Sequence, residues 1–306
     1  MRHFLEITDL DVAEIDRVLE LAEVDDPPQV LRGSGGVLAF EKPSARTRIS
    51  MEMATSQLGG HPVTVRNDEI GFDTRESVED LGRLFSGYGS FIGARVFEHT
   101  KLERLASVAT VPVLNLLSDE SHPIQILADL LTIQQSFGTT EDLTIAWVGD
   151  ANNVARSLVL AANLCGSRIR VAHPEGFGFT AKTSADVAKA GCVPHLTNDP
   201  REAVAGADVV YTDAWYSMGQ EAEKARRADA FAAFCVDERL MSLAAPHAIF
   251  LHCLPAHRGE EATDEVLDGT QSRIFQQAAN RLHSARGLLL FLLGDLRDPP
   301  EDGIEP

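Results

Sequence analysis

Residues 36–60 read Gly-Val-Leu-Ala-Phe-Glu-Lys-Pro-Ser-Ala-Arg-Thr-Arg-Ile-Ser-Met-Glu-Met-Ala-Thr-Ser-Gln-Leu-Gly-Gly. An apolar run ends at Phe40, Pro43 marks a turn, and Ser44 is a natural N-cap. The helix it opens carries Ile49 and Met53 on one face and stops at Gly59-Gly60. Strand, turn and capped helix in that order make half of a βαβ unit. The pattern recurs along the chain. Strand candidates fall at 36–40, 62–66, 90–95, 111–116, 143–149, 169–172, 209–212 and 249–252. Helical stretches at 47–57, 77–85, 102–108, 125–137, 154–164 and 220–231 lie between them. Such alternation predicts an α/β fold of parallel sheets covered by helices. A small polar cluster at 138–142 separates two series of this kind, so two doubly wound domains are expected, 1–138 and 139–274.

The 306 residues are 44% hydrophobic and 24% charged, a composition that fits two globular domains and excludes a fibrous chain. The longest purely apolar run, 288–293, falls far short of the roughly 18–20 residues that span a bilayer. Residues 1–6 carry no signal-peptide pattern, and a cytoplasmic protein is expected. A net charge of −19 argues against nucleic-acid and membrane partners. Only five of the 27 basic residues are lysines, a lopsided usage that fits a salt-adapted host or a nucleotide-composition bias. Cys165, Cys192, Cys235 and Cys253 form no C-x-x-C pair and read as reduced thiols. His252, Cys253 and His257 lack a fourth ligand, so no metal and no cofactor are expected.

A helix N-terminus offers unpaired N–H groups and the positive end of a dipole, which suits phosphate. At Ser44–Arg48 the hydroxyls of Ser44 and Thr47 add donors, and Arg46 and Arg48 add charge. Ser121-His122-Pro123-Ile124-Gln125 opens another helix after a strand, with 122, 125 and 129 on one face and Leu127 and Leu131 on an apolar side. Arg95 closes the strand at 90–95. Gly149-Asp150-Ala151-Asn152-Asn153 occupies the place of a dinucleotide fingerprint but holds one glycine, which disfavours a nicotinamide dehydrogenase; its paired amides suit an amino-acid head group. Asp213-Ala214-Trp215-Tyr216-Ser217-Met218-Gly219 and His252-Cys253-Leu254-Pro255 follow the last two strands.

In this order the segments resemble the transcarbamoylases, most closely the ornithine carbamoyltransferases, over residues 4–292. Ser44-Ala45-Arg46-Thr47-Arg48 is similar to the family's Ser-Thr-Arg-Thr-Arg loop, and His122-Pro123-Ile124-Gln125 to its His-Pro-x-Gln element. The segments at 149–153, 213–219 and 252–255 resemble the ornithine side, and Asn280-Arg281 the late arginine that returns to the phosphate site. Three departures stand out: Ala45 replaces a threonine, Arg75 replaces the lysine of Lys-Glu-Ser, and Gly71 stands where some relatives have glutamine.

The resemblance implies that a C-terminal helix, about 275–293, completes the first domain; the acidic, proline-broken composition of 294–306 predicts a disordered tail. It implies carbamoyl phosphate held by Ser44, Ala45, Arg46, Thr47, Arg48, Arg95, His122, Gln125, Cys253, Leu254 and Arg281. Ornithine would be held by Asn153, Asp213, Ser217 and Met218, with Arg95, His122, Asp213 and Cys253 catalytic. Arg75 would reach a neighbouring subunit of a homotrimer or an assembly of trimers, in an enzyme of arginine biosynthesis. The helix after Gly219 would act as a lid. A related amine (putrescine or an acylated ornithine) and a catalytically silent homologue are the competing readings.

Overall fold

The computed structural model describes residues 1–216 and 223–294. These form two compact units. The first comprises Met1–Leu5, Ala13–Leu117 and the chain from Arg281 onward; the second comprises Glu6–Val12 and Ser118–Asn280.

The first unit holds α1 (Val12–Ala22), β1 (Gly35–Phe40), α2 (Ala45–Gln57), β2 (His61–Arg66), α3 (Asn67–Ile70), α4 (Val78–Ser86), β3 (Phe91–Arg95), α5 (His99–Val108) and β4 (Val113–Leu117). Its strands are all parallel, in the order β2-β1-β3-β4. Alternate residues of a strand face opposite ways. Val37, Ala39, Ile92, Ala94 and Val113 therefore share one side, where Leu81 and Phe85 of α4 and Leu102 and Leu105 of α5 cover them. Register pairs Phe40 with Arg95, so the C-terminal ends of β1 and β3 lie side by side.

Two expectations for α2 need correction. It starts at Ala45 rather than 47, directly after its Ser44 cap. Its Ile49 and Met53 are not the core face; they stand 54% and 46% exposed, while Thr47, Met51, Ala54 and Leu58 point inward. The i, i+4, i+7 stripe that packs thus begins on a polar residue, which hid it from a reading by hydrophobicity.

The second unit contains α6 (Pro123–Phe137), β5 (Thr144–Val148), α7 (Asn153–Leu164), β6 (Arg168–Ala172), α8 (Ala181–Lys189), β7 (His195–Thr197), α9 (Pro200–Val204), β8 (Val209–Thr212), α10 (Lys224–Phe231), α11 (Glu238–Met241), β9 (Ile249–His252), α12 (Asp264–Leu267) and the start of α13 (Ile274–Gly294). Its sheet is also parallel, ordered β7-β6-β5-β8-β9. Ala146, Val148, Val210 and Phe250 share a core with Trp215, Phe231 and Phe234. Sequence pattern missed β7, a three-residue edge strand with no buried position.

One further correction concerns this unit: α6, expected to be amphipathic, is buried on every side from Pro123 to Ile133. By packing, α6 groups with the second unit, whose chain from Ser118 starts one helix ahead of the expected 138–142 boundary. The helix predicted over 220–231 is described from Lys224; its first residues, the lid segment around them, Ser217, Met218 and the tail beyond Gly294 lie outside the described residues. No helix among the described residues is long and apolar enough to cross a membrane.

Within the first unit α13 crosses α1 at a glycine. A Cβ on Gly287 would lie 2.4 Å from the Val18 carbonyl oxygen and 2.7 Å from the Ala22 nitrogen, both rigid backbone. Gly287→Val is expected to destabilise the protein by about 1–3 kcal/mol through overpacking, read as a lower urea midpoint at unchanged slope.

Candidate active site

The first group of predicted residues gathers where β1 and β3 end. Ser44 caps α2, its hydroxyl oxygen accepting from the Thr47 N–H at 3.4 Å and the hydroxyl donating to Thr47 Oγ1 at 3.1 Å. Arg281 reaches the same threonine, Nη2 donating to Thr47 Oγ1 at 3.0 Å. Arg281 and Arg95 are nearly buried, and the Glu41 N–H bonds the Arg95 carbonyl at 2.8 Å, fixing the turn beside the strand end. Guanidinium groups held out of water beside a helix N-terminus form a strongly anion-favouring corner. Ala45, Arg46 and Arg48 lie in the first turn and are exposed. Arg46 and Arg48 leave the helix about 200° apart, so a common focus for both side chains is not built in. Arg75 is exposed, and its Nη1 donates to the Glu69 carbonyl within its own loop at 2.9 Å.

The second group lies on the second unit. His122 precedes α6 with Pro123 at its first position, and its N–H donates to Ser157 Oγ at 3.1 Å. One turn on, Gln125 Nε2 donates to Asp129 Oδ1 at 2.8 Å. Asp129 is fully buried, and it accepts from three neutral donors: Gln125, Gln277 Nε2 at 2.7 Å and the Tyr211 hydroxyl at 3.0 Å. Gln277 Oε1 in turn accepts the His252 N–H at 2.9 Å. This network links α6, β8, α13 and the end of β9. Burial, reinforced by the Asp129 carboxylate, pushes the Tyr211 phenol well above its ordinary range, so it stays a donor.

Asp213, just beyond β8, is the centre of a third cluster. Its Oδ1 accepts from the Cys253 thiol at 2.9 Å and the Ala214 N–H at 2.8 Å, while Oδ2 accepts from Asn152 Nδ2 at 2.8 Å. Asn152 also caps α7, its Oδ1 accepting from Val154 N and Ala155 N. The predicted Asn153 instead donates to the Ser118 carbonyl at 2.8 Å. Cys253 and Leu254 are shaped by His252: Nδ1 accepts the Leu254 N–H at 2.8 Å, so Nε2 carries the proton toward Glu261 Oε1 at 3.1 Å. That bond holds Leu254 at φ +59°, a left-handed conformation costly for a branched residue.

Spacing missed Asn152 as the partner of Asp213, and it missed Tyr211, Gln277 and the His252–Glu261 pair. Asn152 had a signal, since an N-cap amide is legible; the others come together only through the tertiary fold.

Comparison with known proteins places these geometries in a class. The aspartate/ornithine carbamoyltransferase carbamoyl-P binding domain matches residues 2–135, and the Asp/Orn binding domain of the same family matches 141–292. The chain therefore belongs to the aspartate/ornithine carbamoyltransferase family and is a carbamoyltransferase. Among curated relatives, the ornithine carbamoyltransferase of Anoxybacillus flavithermus is 46% identical over 303 residues, covering 95% of this chain and 96% of its own. That of Haloquadratum walsbyi is 44% identical over 297 residues, 96% and 98% covered. Among solved structures, ornithine carbamoyltransferase from Pyrococcus furiosus superposes with a TM-score of 0.90 at 41% identity, covering 99% of this chain and 98% of that one. An N-acetyl-L-ornithine transcarbamylase mutant complexed with PALAO reaches 0.84 at 29% identity, with 95% and 100% covered.

Tyr211→Phe deletes one bond to a buried carboxylate and is expected to cost about 1.5–3 kcal/mol in denaturant unfolding at pH 7. The pH dependence has a definite sign. The unfolded phenol ionises near 10 and the folded one well above, so this contribution is intact below about pH 10 and lost as pH rises further. The variant should show a shallower alkaline fall in stability than the wild type.

Proposed function

We propose that the chain transfers the carbamoyl group of carbamoyl phosphate to the side-chain amine of L-ornithine, giving L-citrulline and phosphate. The observation that carries the amine side is the Asp213 cluster: a carboxylate oriented by the Cys253 thiol and the Asn152 amide can receive an amine. The phosphate side rests on Arg281 meeting Thr47 in the capped first turn of α2, with Arg95 at the adjoining strand end. Relatives named ornithine carbamoyltransferase support the choice of substrate.

In this reading Ser44, Arg46, Thr47, Arg95, Arg281 and the N–H groups of the first turn, Ala45 included, hold the phosphate and take up charge as it leaves. Arg48 adds long-range attraction. His122 and Arg95 donate to the carbonyl oxygen as it gains charge in the tetrahedral intermediate. Gln125, fixed by Asp129, and the Cys253–Leu254 backbone bind the carbamoyl amide. The amine of ornithine is protonated in water, with a lysine-like pKa near 10.4; only its neutral form attacks, and a desolvated site favours that form. Its nitrogen bonds the carbonyl carbon, the carbon–oxygen bond to phosphate breaks, and the nitrogen gives up one proton, which the departing phosphate takes. Asn153, Ser217 and Met218 hold the amino-acid end.

Steady-state product formation with ornithine, N-acetylornithine, putrescine and aspartate side by side tests the reading. Ornithine should exceed each rival in kcat/KM by at least about 100-fold, well inside the 10⁴–10⁵ that buried polar recognition can deliver. A preference for the acylated substrate or the diamine would replace ornithine in the assignment, and no turnover with any amine would leave a silent homologue. Arg46→Ala should lower kcat/KM for ornithine by about 10²–10³ without moving the melting temperature.

We further propose self-association as a homotrimer or an assembly of trimers, with Arg75 directed to a neighbouring subunit. The exposed Ile49 and Met53 of α2 support it, since apolar residues four apart on one helix face suit a partner surface. Light scattering on the eluting protein should give three times the 33.2 kDa chain mass or a multiple of it. A monomer at micromolar concentration would remove the proposal.

A further inference from the structure

The loop after β9 carries a second set of chemically active side chains that the transfer reaction does not use. The Gly259 N–H bonds the Ala262 carbonyl and the Glu260 N–H bonds the His257 carbonyl, with Gly259 at φ +82°. This tight turn folds Glu260 and Glu261 back onto His257. One ligand-capable atom from each of the three residues lies within 4.8 Å of the other two, and His257 Nδ1 is 3.6 Å from Glu261 Oε2. Glu261 is completely buried. Its Oε1 is engaged by the His252 ring and the His257 N–H, but its Oε2 has no hydrogen-bond partner among the described residues. The same holds for Glu260 Oε2 and His257 Nδ1, all three atoms being shielded from solvent.

The surroundings hold this set in place. Lys224 Nζ pairs with Glu260 Oε1 at 3.1 Å, and that leaves Oε2 for the cluster. The Tyr216 ring stacks on His257 at 4.8 Å, and Lys224 Nζ lies over that tyrosine ring at 4.9 Å. Two carboxylate oxygens facing an imidazole nitrogen in a dry corner repel one another unless a cation lies between them. The second bond on each acid, to His252 and to Lys224, is the outer-shell support that ligating carboxylates receive.

We propose that His257, Glu260 and Glu261 form a binding site for a divalent first-row transition ion such as Zn²⁺, outside the residues that carry out the transfer. One imidazole and two carboxylates match that class, and no thiolate takes part. An ion about 2.0–2.2 Å from each donor keeps its ligands within about 4.4 Å of one another, so the set needs less than an ångström of closure. Water completes the coordination. Asp213, His252 and Cys253 also lie close together, but they are a poorer site. Both His252 ring nitrogens are committed to Leu254 and Glu261, and both Asp213 oxygens accept protein hydrogens. Sequence spacing grouped His257 with His252 and Cys253; the turn groups it with the two glutamates.

The test is calorimetric titration of EDTA-stripped full-length protein with Zn²⁺, alongside the absorption spectrum of the Co²⁺ form. One ion per chain should bind, and Mg²⁺ should not compete. His257→Gln and Glu260→Gln should each weaken Zn²⁺ at least tenfold, since loss of even an outer-shell partner costs about 10–100-fold. Cys253→Ser should bind within twofold of wild type, and the Co²⁺ spectrum should show d–d bands without a thiolate-to-metal band. Ornithine turnover in EDTA should stay within twofold of wild type in the two loop variants. Absence of Zn²⁺ binding, binding indifferent to both loop variants, or a thiolate band lost in Cys253→Ser would each overturn the site. If one loop variant fails to fold, the other and the wild-type Co²⁺ spectrum still decide.

Discussion

Parallel strands cannot be joined by tight turns. Each must be followed by a crossover, so every strand of a parallel sheet ends at the same edge and hands its chain to a helix there. This constraint organises the whole chain. In the first unit β1 runs out into Ser44 and the start of α2, and β3 ends on Arg95. In the second unit β5 leads to Asn152, β8 to Asp213 and β9 to Cys253. Residues 40 to 100 positions apart in sequence thus meet at a few ångströms without any long functional loop. Each helix that begins at such an edge also points its unpaired N–H groups there. The chemistry of the edge then depends on whether the first turn carries arginine, as α2 does, or an amide, as α7 does.

Within the second unit a buried carboxylate keeps this arrangement in register. Asp129 accepts from Gln125, Gln277 and Tyr211, which belong to three different elements. A charge taken out of water costs several kcal/mol, and hydrogen bonds to neutral donors offset that cost only when all are made together. Any slippage of α6 past β8 or α13 would break at least one of them, so the network penalises wrong packings more than it stabilises the right one. Gln277 extends the constraint to the His252 N–H, and His252 sets the backbone of Cys253 and Leu254. An amide on α6 and a thiol after β9 are thereby positioned through one acid that touches neither backbone.

Much of this was legible from residue order, and the remainder was not for identifiable reasons. Strands over 209–212 and 249–252 stand as predicted because both are continuous buried runs with a clear end. The capped start of α2 and the return of Arg281 to Thr47 followed from motif and resemblance. The inward face of α2 was misread because Thr47, a polar residue, leads it. α6 was misread because a helix buried on all sides has no period that reveals its neighbours. The family models meet between residues 135 and 141, whereas the packing units divide at Leu117. Inheritance and packing differ here by one helix, and no local pattern records which side α6 joins. Asn153 was named from the resemblance, whereas the pairing of Asn152, the cap of α7, with Asp213 emerges only in the folded chain.

The charge of the chain poses a last physical question, because a protein of net charge −19 must admit an anion to a cationic corner. At physiological ionic strength fields from exposed carboxylates fade over about 8 Å, so most of the surplus acid is invisible to a ligand already at the site. Nearby acids are a different matter, and in the first unit these are neutralised locally. Lys101 pairs with Glu41 at 2.5 Å, and Arg104 bridges Asp73 and Glu79, holding both carboxyls below their ordinary range. Arg95 and Arg281, by contrast, sit in the interior, where little water competes for their charge. The low dielectric of that interior strengthens the attraction of the two guanidinium groups for an anion that reaches the corner. The acidic exterior and the anion-seeking corner therefore coexist because screening separates them.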